Sequence, residues 1–517
     1  MKEVFILIFI FISFCGPPKP LSRSSTSIAS TANLTEEEIT KKLHSPIWTE
    51  RSGILVEIQR IEGRKFIPEI RKLLDTDPEA AVRGTAALVL SHFQDETSCI
   101  RIARMLEEDK VVSPEILLDA LSKFSEPKVV KYILPFMEDD SNTRRLLAMK
   151  ALIRNQATFE KNSILKMANQ NTDPQKAKTY AMLIGNLKIK EGESYLIKLA
   201  NNSSPSPTLA AAYLALGRIQ SQKAIPILVN ALKANFPKGI ENAELALIKI
   251  ASPKVNRLVL PLLNNEQEEL KIIASNILAE IPDVITAEVV LSRLQKKESK
   301  LIPYLTFILG KYKYTKARTR IEEFLLDTTL PGREKIAQSL GWMGESQSVP
   351  TLLKVLKEEE GEGRYGAVWA LGILEAKEAL EPLKNAVESS DRKLSLLAIQ
   401  ALSSLRLEDS LNVLEKKTKE KESAYFAYSA IANIPGQKAL DILHEGAKKS
   451  DSSMRRAAFQ AMEQRKDGQS IPFLISQLEK EGESQNRSLI IAALNHITGE
   501  KIYQVQDWKI WWERKGK

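Results

Sequence analysis

The chain has 517 residues, with 74 Lys+Arg against 65 Asp+Glu and a formal net charge of +9. That length exceeds the roughly 250–300 residues at which a single hydrophobic core stops growing, which argues against one compact globule. The charge excess is small and does not demand nucleic acid, and two cysteines, Cys15 and Cys99, exclude a disulfide framework.

Residues 1–14 read MKEVFILIFIFISF, a thin basic start followed by an apolar stretch. The stretch is shorter than the roughly 20 residues a membrane-spanning helix needs, and it fits a secretory signal peptide. Residues 12–15, Ile-Ser-Phe-Cys, resemble a bacterial lipobox, with Phe14 where the common motif has a small residue. The resemblance implies cleavage before Cys15, lipidation of Cys15 and a lipid-anchored protein of the bacterial cell envelope. Acyl chains contribute about 0.8 kcal/mol per buried CH₂, enough to hold the chain at a membrane. Residues 15–34 are rich in Pro, Ser and Thr without apolar period, which predicts a disordered tether. Thr35 followed by Glu36, Glu37 and Glu38 then predicts a capped helix start.

From there to the C terminus the apolar residues follow helical spacing in a two-helix unit that recurs about every 31 residues. The first helix of each unit (A) is clearest in FIPEIRKLL from Phe66, AIPILVNAL from Ala224, VPTLLKVL from Val349, ALEPLKNAV from Ala379 and SIPFLISQL from Ser470. A proline in its first turn costs no hydrogen bond. The second helix (B) recurs as VRGTAALVL from Val82, RRLLAMKAL from Arg144, TLAAAYLALG from Thr208, MRRAAFQAM from Met454 and NRSLIIAAL from Asn486. Gly185, Gly217, Gly310, Gly341 and Gly372 share one slot, read as the end of helix B. Residues 313–320 read as a basic loop. No unit can bury its own apolar stripe, so neighbours must stack. The expected fold is all-α, an α-solenoid of about fourteen helical pairs over residues 35–517.

The proline of helix A, the arginine that opens helix B and the A-A-x-x-L-G run that closes it resemble HEAT-like repeats, in the shorter form of the bacterial bilin-lyase-type proteins. That resemblance implies a superhelical surface for protein partners. The tail resembles those of other bacterial HEAT-like proteins, and Trp508, Trp511 and Trp512 share a helical face that reads as a cap on the last repeat.

Chemistry-bearing groups are sparse. Arg83, Arg145, Arg333, Arg364, Arg455 and Arg487 recur in one repeat slot, several after acidic turns. They read first as a ladder of inter-repeat ion pairs and second as a basic track for an acidic ligand. Gly361, Gly363 and Gly366 match GxGxxG but follow a Lys- and Glu-rich helix, so a turn and a packing glycine are expected in place of a dinucleotide loop. Iron-holding HEAT-repeat hydroxylases use several His-Glu dyads, and this chain has one, His444–Glu445. No metal, cofactor or catalytic constellation is expected. The functional expectation is a non-enzymatic scaffold at the envelope with a protein partner. Nucleic-acid binding through a basic inner face and a bilin-lyase-type enzyme are the alternatives, both opposed by export.

Overall fold

The computed structural model describes residues 35–201, 204–296, 300–358 and 360–515. Signal segment 1–14, Cys15 and tether 15–34 lie outside the described residues. Among the described residues all regular structure is helical. Thirty-one α-helices form fifteen A/B pairs and a last helix, Val505–Lys515. The thirteen periods between Pro68 and Pro472 bound fourteen pairs, and the pair before Pro68 makes the fifteenth.

The described chain divides into two compact units, one ending at Phe159 and one starting at Glu160. The first holds four A/B pairs, the second eleven and the last helix. Each is an α-solenoid in which an A helix packs on its own B helix and successive B helices pack on one another. Between Val259 and Leu414 five successive repeats keep a period of 31 residues. The same two positions therefore point inward in each turn of the stack. Leu309, Leu340, Leu371 and Leu402 of successive B helices, and Leu352, Leu383 and Leu414 of A helices, are fully buried. Each such leucine stabilises the stack by roughly 1.5–3 kcal/mol.

Helix starts follow the sequence. Thr35 and Glu38 form a reciprocal capping box. Proline occupies the first turn of Ile67–Thr76, Ile225–Ala231, Val349–Leu356 and Ile471–Lys480. Ser141, Asp173, Ser206, Asp391 and Asp451 cap B helices through their side chains. The basic run 313–320 is corrected: Thr315–Ala317 is a 3-10 turn, and Arg318 begins the A helix Arg318–Leu326.

The glycine slot is also corrected. Gly341 lies inside Arg333–Met343 and Gly372 inside Gly363–Ile373, both in the last turn. They are small because the next B helix comes close. A Cβ on Gly341 would sit 2.9 Å from Cα of Ala370, and one on Gly372 2.9 Å from Cα of Ala401. Gly185 and Gly310 meet Ala215 and Ser339 in the same way. The chain reverses a few residues later, at a left-handed position filled by Lys188, Gln220, Lys313, Glu375, Arg406 or Lys466.

Candidate functional site

The six slot arginines begin where helix B leaves the A–B turn. In the first unit, Arg83 donates from Nη1 to the carbonyls of Asp77 and Pro78 (2.7 and 3.0 Å) and from Nε to Asp109 Oδ2 (2.7 Å). Asp109 lies 26 residues on, in the next A–B turn, where it also accepts the N–H groups of Val111 and Val112. One arginine thus ties its own turn to the next. Arg51 repeats the device with Asp77, through Nε and Nη2 at 2.7 and 2.9 Å. Arg145, 3% exposed, donates to the carbonyls of Asp139 and Asp140.

In the second unit, Arg455 holds the carbonyls of Lys449 and Ser450 and both carboxylate oxygens of Glu481, at 2.7 and 2.8 Å. Those bonds, with burial acting against them and the Glu483 N–H and Asn486 amide assisting, hold the Glu481 carboxyl down to about 2. Arg333, 5% exposed, grips Glu358 in the same bidentate way and donates to the Leu325 carbonyl. Arg364 lies half-buried beside Asp391. Arg487 is exposed and donates to the Gly482 carbonyl. Arg83, Arg333 and Arg455 therefore form rungs of an ion-pair ladder. Arg145 binds turn carbonyls. The structure brings the six arginines to equivalent places and does not gather them into one pocket.

The B helices of the second unit carry a different feature. Phe307, Trp342 and Trp369 stand half-buried on three successive B helices, Ile302–Lys311, Arg333–Met343 and Gly363–Ile373. Their rings meet edge to face, Phe307 to Trp342 at 5.1 Å and 71°, Trp342 to Trp369 at 5.1 Å and 62°. Phe307 and Trp369 share a slot two repeats apart. Gln338 fills that slot in the middle repeat, and Trp342, one turn on, supplies the intervening ring. Exposed Ile373 extends the row.

Charged groups flank the rings. The Lys335 ammonium lies 5.1 Å from the Tyr304 ring centroid, and the Lys393 ammonium 4.1 Å from that of Tyr365. Lys393 also reaches back two repeats to Glu334 Oε2 at 2.8 Å. The Tyr365 hydroxyl donates to Asp391 at 2.6 Å, which raises the phenol's pKa and lowers the carboxyl's. The Tyr304 hydroxyl donates to Glu268. Beside them opens a groove of about 530 Å³ lined by Pro303, Tyr304, Gly332, Glu334, Lys335 and Gln338. Together these groups make an amphipathic surface of rings, ammoniums and carboxylates on fixed helices, a composition suited to recognising a polypeptide.

The other sequence candidates are structural in geometry. Gly366 packs against Glu334 and Ala337 of the preceding B helix, and Gly361 turns at φ +114°. His444 stacks on Phe473 at 3.9 Å, and burial lowers its pKa. His92 meets Glu62 at 3.0 Å, a separate contact. No group of three or more His, Cys, Asp or Glu stands in metal-binding proximity among the described residues. The last helix packs on Ile471–Lys480, with Trp508 buried and Trp511 donating to Glu500 at 3.0 Å.

The family model for HEAT repeats matches residues 162–248, 349–425 and 416–495. Comparison with curated proteins finds no match. Among solved structures, one concerning Kap95p binding to RanGDP is similar at 12% identity, covering 92% of this chain and 68% of that one, with a TM-score of 0.43. One of importin beta is similar at 14% identity, covering 89% and 74%, with a TM-score of 0.38. One of Kap121p is similar at 13% identity, covering 89% and 67%, with a TM-score of 0.40.

Proposed function

We propose that this helical-repeat chain works as a non-enzymatic scaffold that presents the B-helix face of its second unit to a protein partner. The row Phe307–Trp342–Trp369, with its flanking Lys–Tyr pairs, is the observation that carries this reading. Aromatic and cationic side chains already held in place lose little freedom on binding, and such groups dominate interface energetics. The ladder arginines support a protein partner over nucleic acid, since Arg83, Arg333 and Arg455 are bonded to carboxylates of their own chain.

The reading places the scaffold at a bacterial envelope, held by lipid on Cys15. The lipobox-like residues 12–15 motivate this part. Metabolic labelling with a fatty-acid analogue should mark the wild type and leave Cys15→Ser unlabelled; equal labelling of both contradicts the anchor. Affinity capture from cells should recover a partner with the wild type, and Trp342→Ala/Trp369→Ala should reduce recovery at least about tenfold, the loss of roughly 1.4 kcal/mol or more. Undiminished recovery with that variant removes the ring row from the interface.

A further inference from the structure

We propose that the outer layer of the second unit carries a membrane-contact patch, centred on Val284, Ile285 and Val289, that seats on an anionic lipid surface. It stands on described residues alone and is independent of any lipid on Cys15. Val284 and Ile285 are 72% and 74% exposed, and Val289 is exposed beside them, all on the A helix Val284–Gln295. Residues 284, 285, 288 and 289 fall on one face by helical spacing. The opposite side of that helix is accounted for, because Thr286, Ala287 and Val290 are buried against the repeat. Leu258, exposed on the preceding A helix Pro253–Val259, enlarges the apolar area.

Neighbouring segments are fixed beside this helix. The Asn256 amide donates to Thr286 Oγ1 at 3.2 Å and to the Ile281 carbonyl at 2.9 Å. Beyond it, Lys316 Nζ lies 3.0 Å from Glu288 Oε1, and the Tyr314 hydroxyl donates to the same carboxylate. The periodicity then brings Lys254, Ile285 and Lys316 to equivalent places on three successive outer segments. Apolar tips thus stand between cations.

The charges decide the occupant. The patch has two carboxylates close to its centre, and both are engaged: Asp283 accepts from the N–H and hydroxyl of Thr286, and Glu288 is held by Tyr314 and Lys316. Lys254, Arg257 and Lys313 are exposed and form no ion pair among the described residues. The branched side chains of Val284, Ile285 and Val289 stand exposed on the helix. Projecting aliphatic tips within a cationic rim match the boundary beneath anionic headgroups, where apolar groups insert shallowly and ammoniums meet phosphates.

The test uses the full chain with Cys15→Ser, so that a single introduced cysteine can be labelled while Cys99 stays buried. Ile285→Cys carries an environment-sensitive fluorophore, and Tyr425→Cys, on a B helix, carries the same probe as control. Vesicles contain doxyl-labelled lipid, either in neutral phosphatidylcholine or with about one third phosphatidylglycerol. Because the probe reports its own depth, adsorption through residues 1–14 does not imitate the result. The patch predicts quenching at 285 at least about threefold greater than at 425 on the anionic vesicles, reduced by salt and by Lys254→Glu/Arg257→Glu. Quenching at 285 no greater than at 425 overturns the proposal and leaves the patch facing a protein. Quenching unaffected by charge reversal overturns the electrostatic part of the seat.

Discussion

Glu481 shows how single residues hold the repeats in register. Its carboxylate receives both forks of Arg455, the N–H of Glu483 and the amide of Asn486, and its folded pKa of about 2 lies below the ordinary 4.5. A depressed pKa contributes stability that is present above the unfolded value and lost as pH falls through the folded one. The window for loss is therefore between about 4.5 and 2. Glu481→Gln should destabilise the Ser452–Arg465 helix at pH 7 by about 1–3 kcal/mol. At pH 3 the gap to wild type should fall below about half its neutral value. Hydrogen exchange of that helix at both pH values reads this directly; an equal gap at pH 7 and pH 3 contradicts it. The arginine slot was legible because it recurs. Arg51 was missed because the first repeat has no predecessor to set its phase, and the acid partners 26 residues on fall in turns, where a charge is ordinary in sequence. Arg145 shows the limit of the pattern, since the same slot there grips carbonyls.

At the scale of the helix, the contact between successive B helices is set by absent side chains. Gly341 faces Ala370, and the ring of Trp369 covers the same place, 3.0 Å from a Cβ there. Gly53 lies exposed inside Trp48–Arg60 with nothing within 4 Å of its Cβ position. The two glycines therefore respond oppositely. Gly53→Ala should stabilise its helix by roughly 0.5–1 kcal/mol through propensity, whereas Gly341→Ile should cost about 1–3 kcal/mol by overpacking. Hydrogen exchange or local proteolysis resolves the two; a stabilised Gly341→Ile would show that the B helices can part there. A/B alternation was readable from apolar period and first-turn prolines. The helix ends were not, because the left-handed positions hold Gln220, Lys313 or Arg406, residues that otherwise favour helix. Glycine, the usual end signal, sits earlier, where close packing needs it.

Within each unit, stacking converts a local period into continuous surfaces, and their chemistry differs by layer. In the second unit the B layer carries rings and paired charges around Tyr304, Trp342, Tyr365 and Trp369, and the A layer carries the projecting cluster at Val284 and Ile285. The ring row was not legible as a unit, because Trp342 lies one turn off the slot of Phe307 and Trp369 and meets them only when the helices stack. Periodicity places Trp369 in helix B and does not show that its ring stays half exposed.

On the proposed reading, a protein partner sits on the B-helix face of the second unit. A photo-crosslinking amino acid placed at Trp369, and separately at exposed Glu381 on the A helix Leu380–Val387, tests it in living cells. A partner on that face gives a discrete crosslinked protein from position 369 and none from 381. Crosslinking from 381 with none from 369 would contradict it.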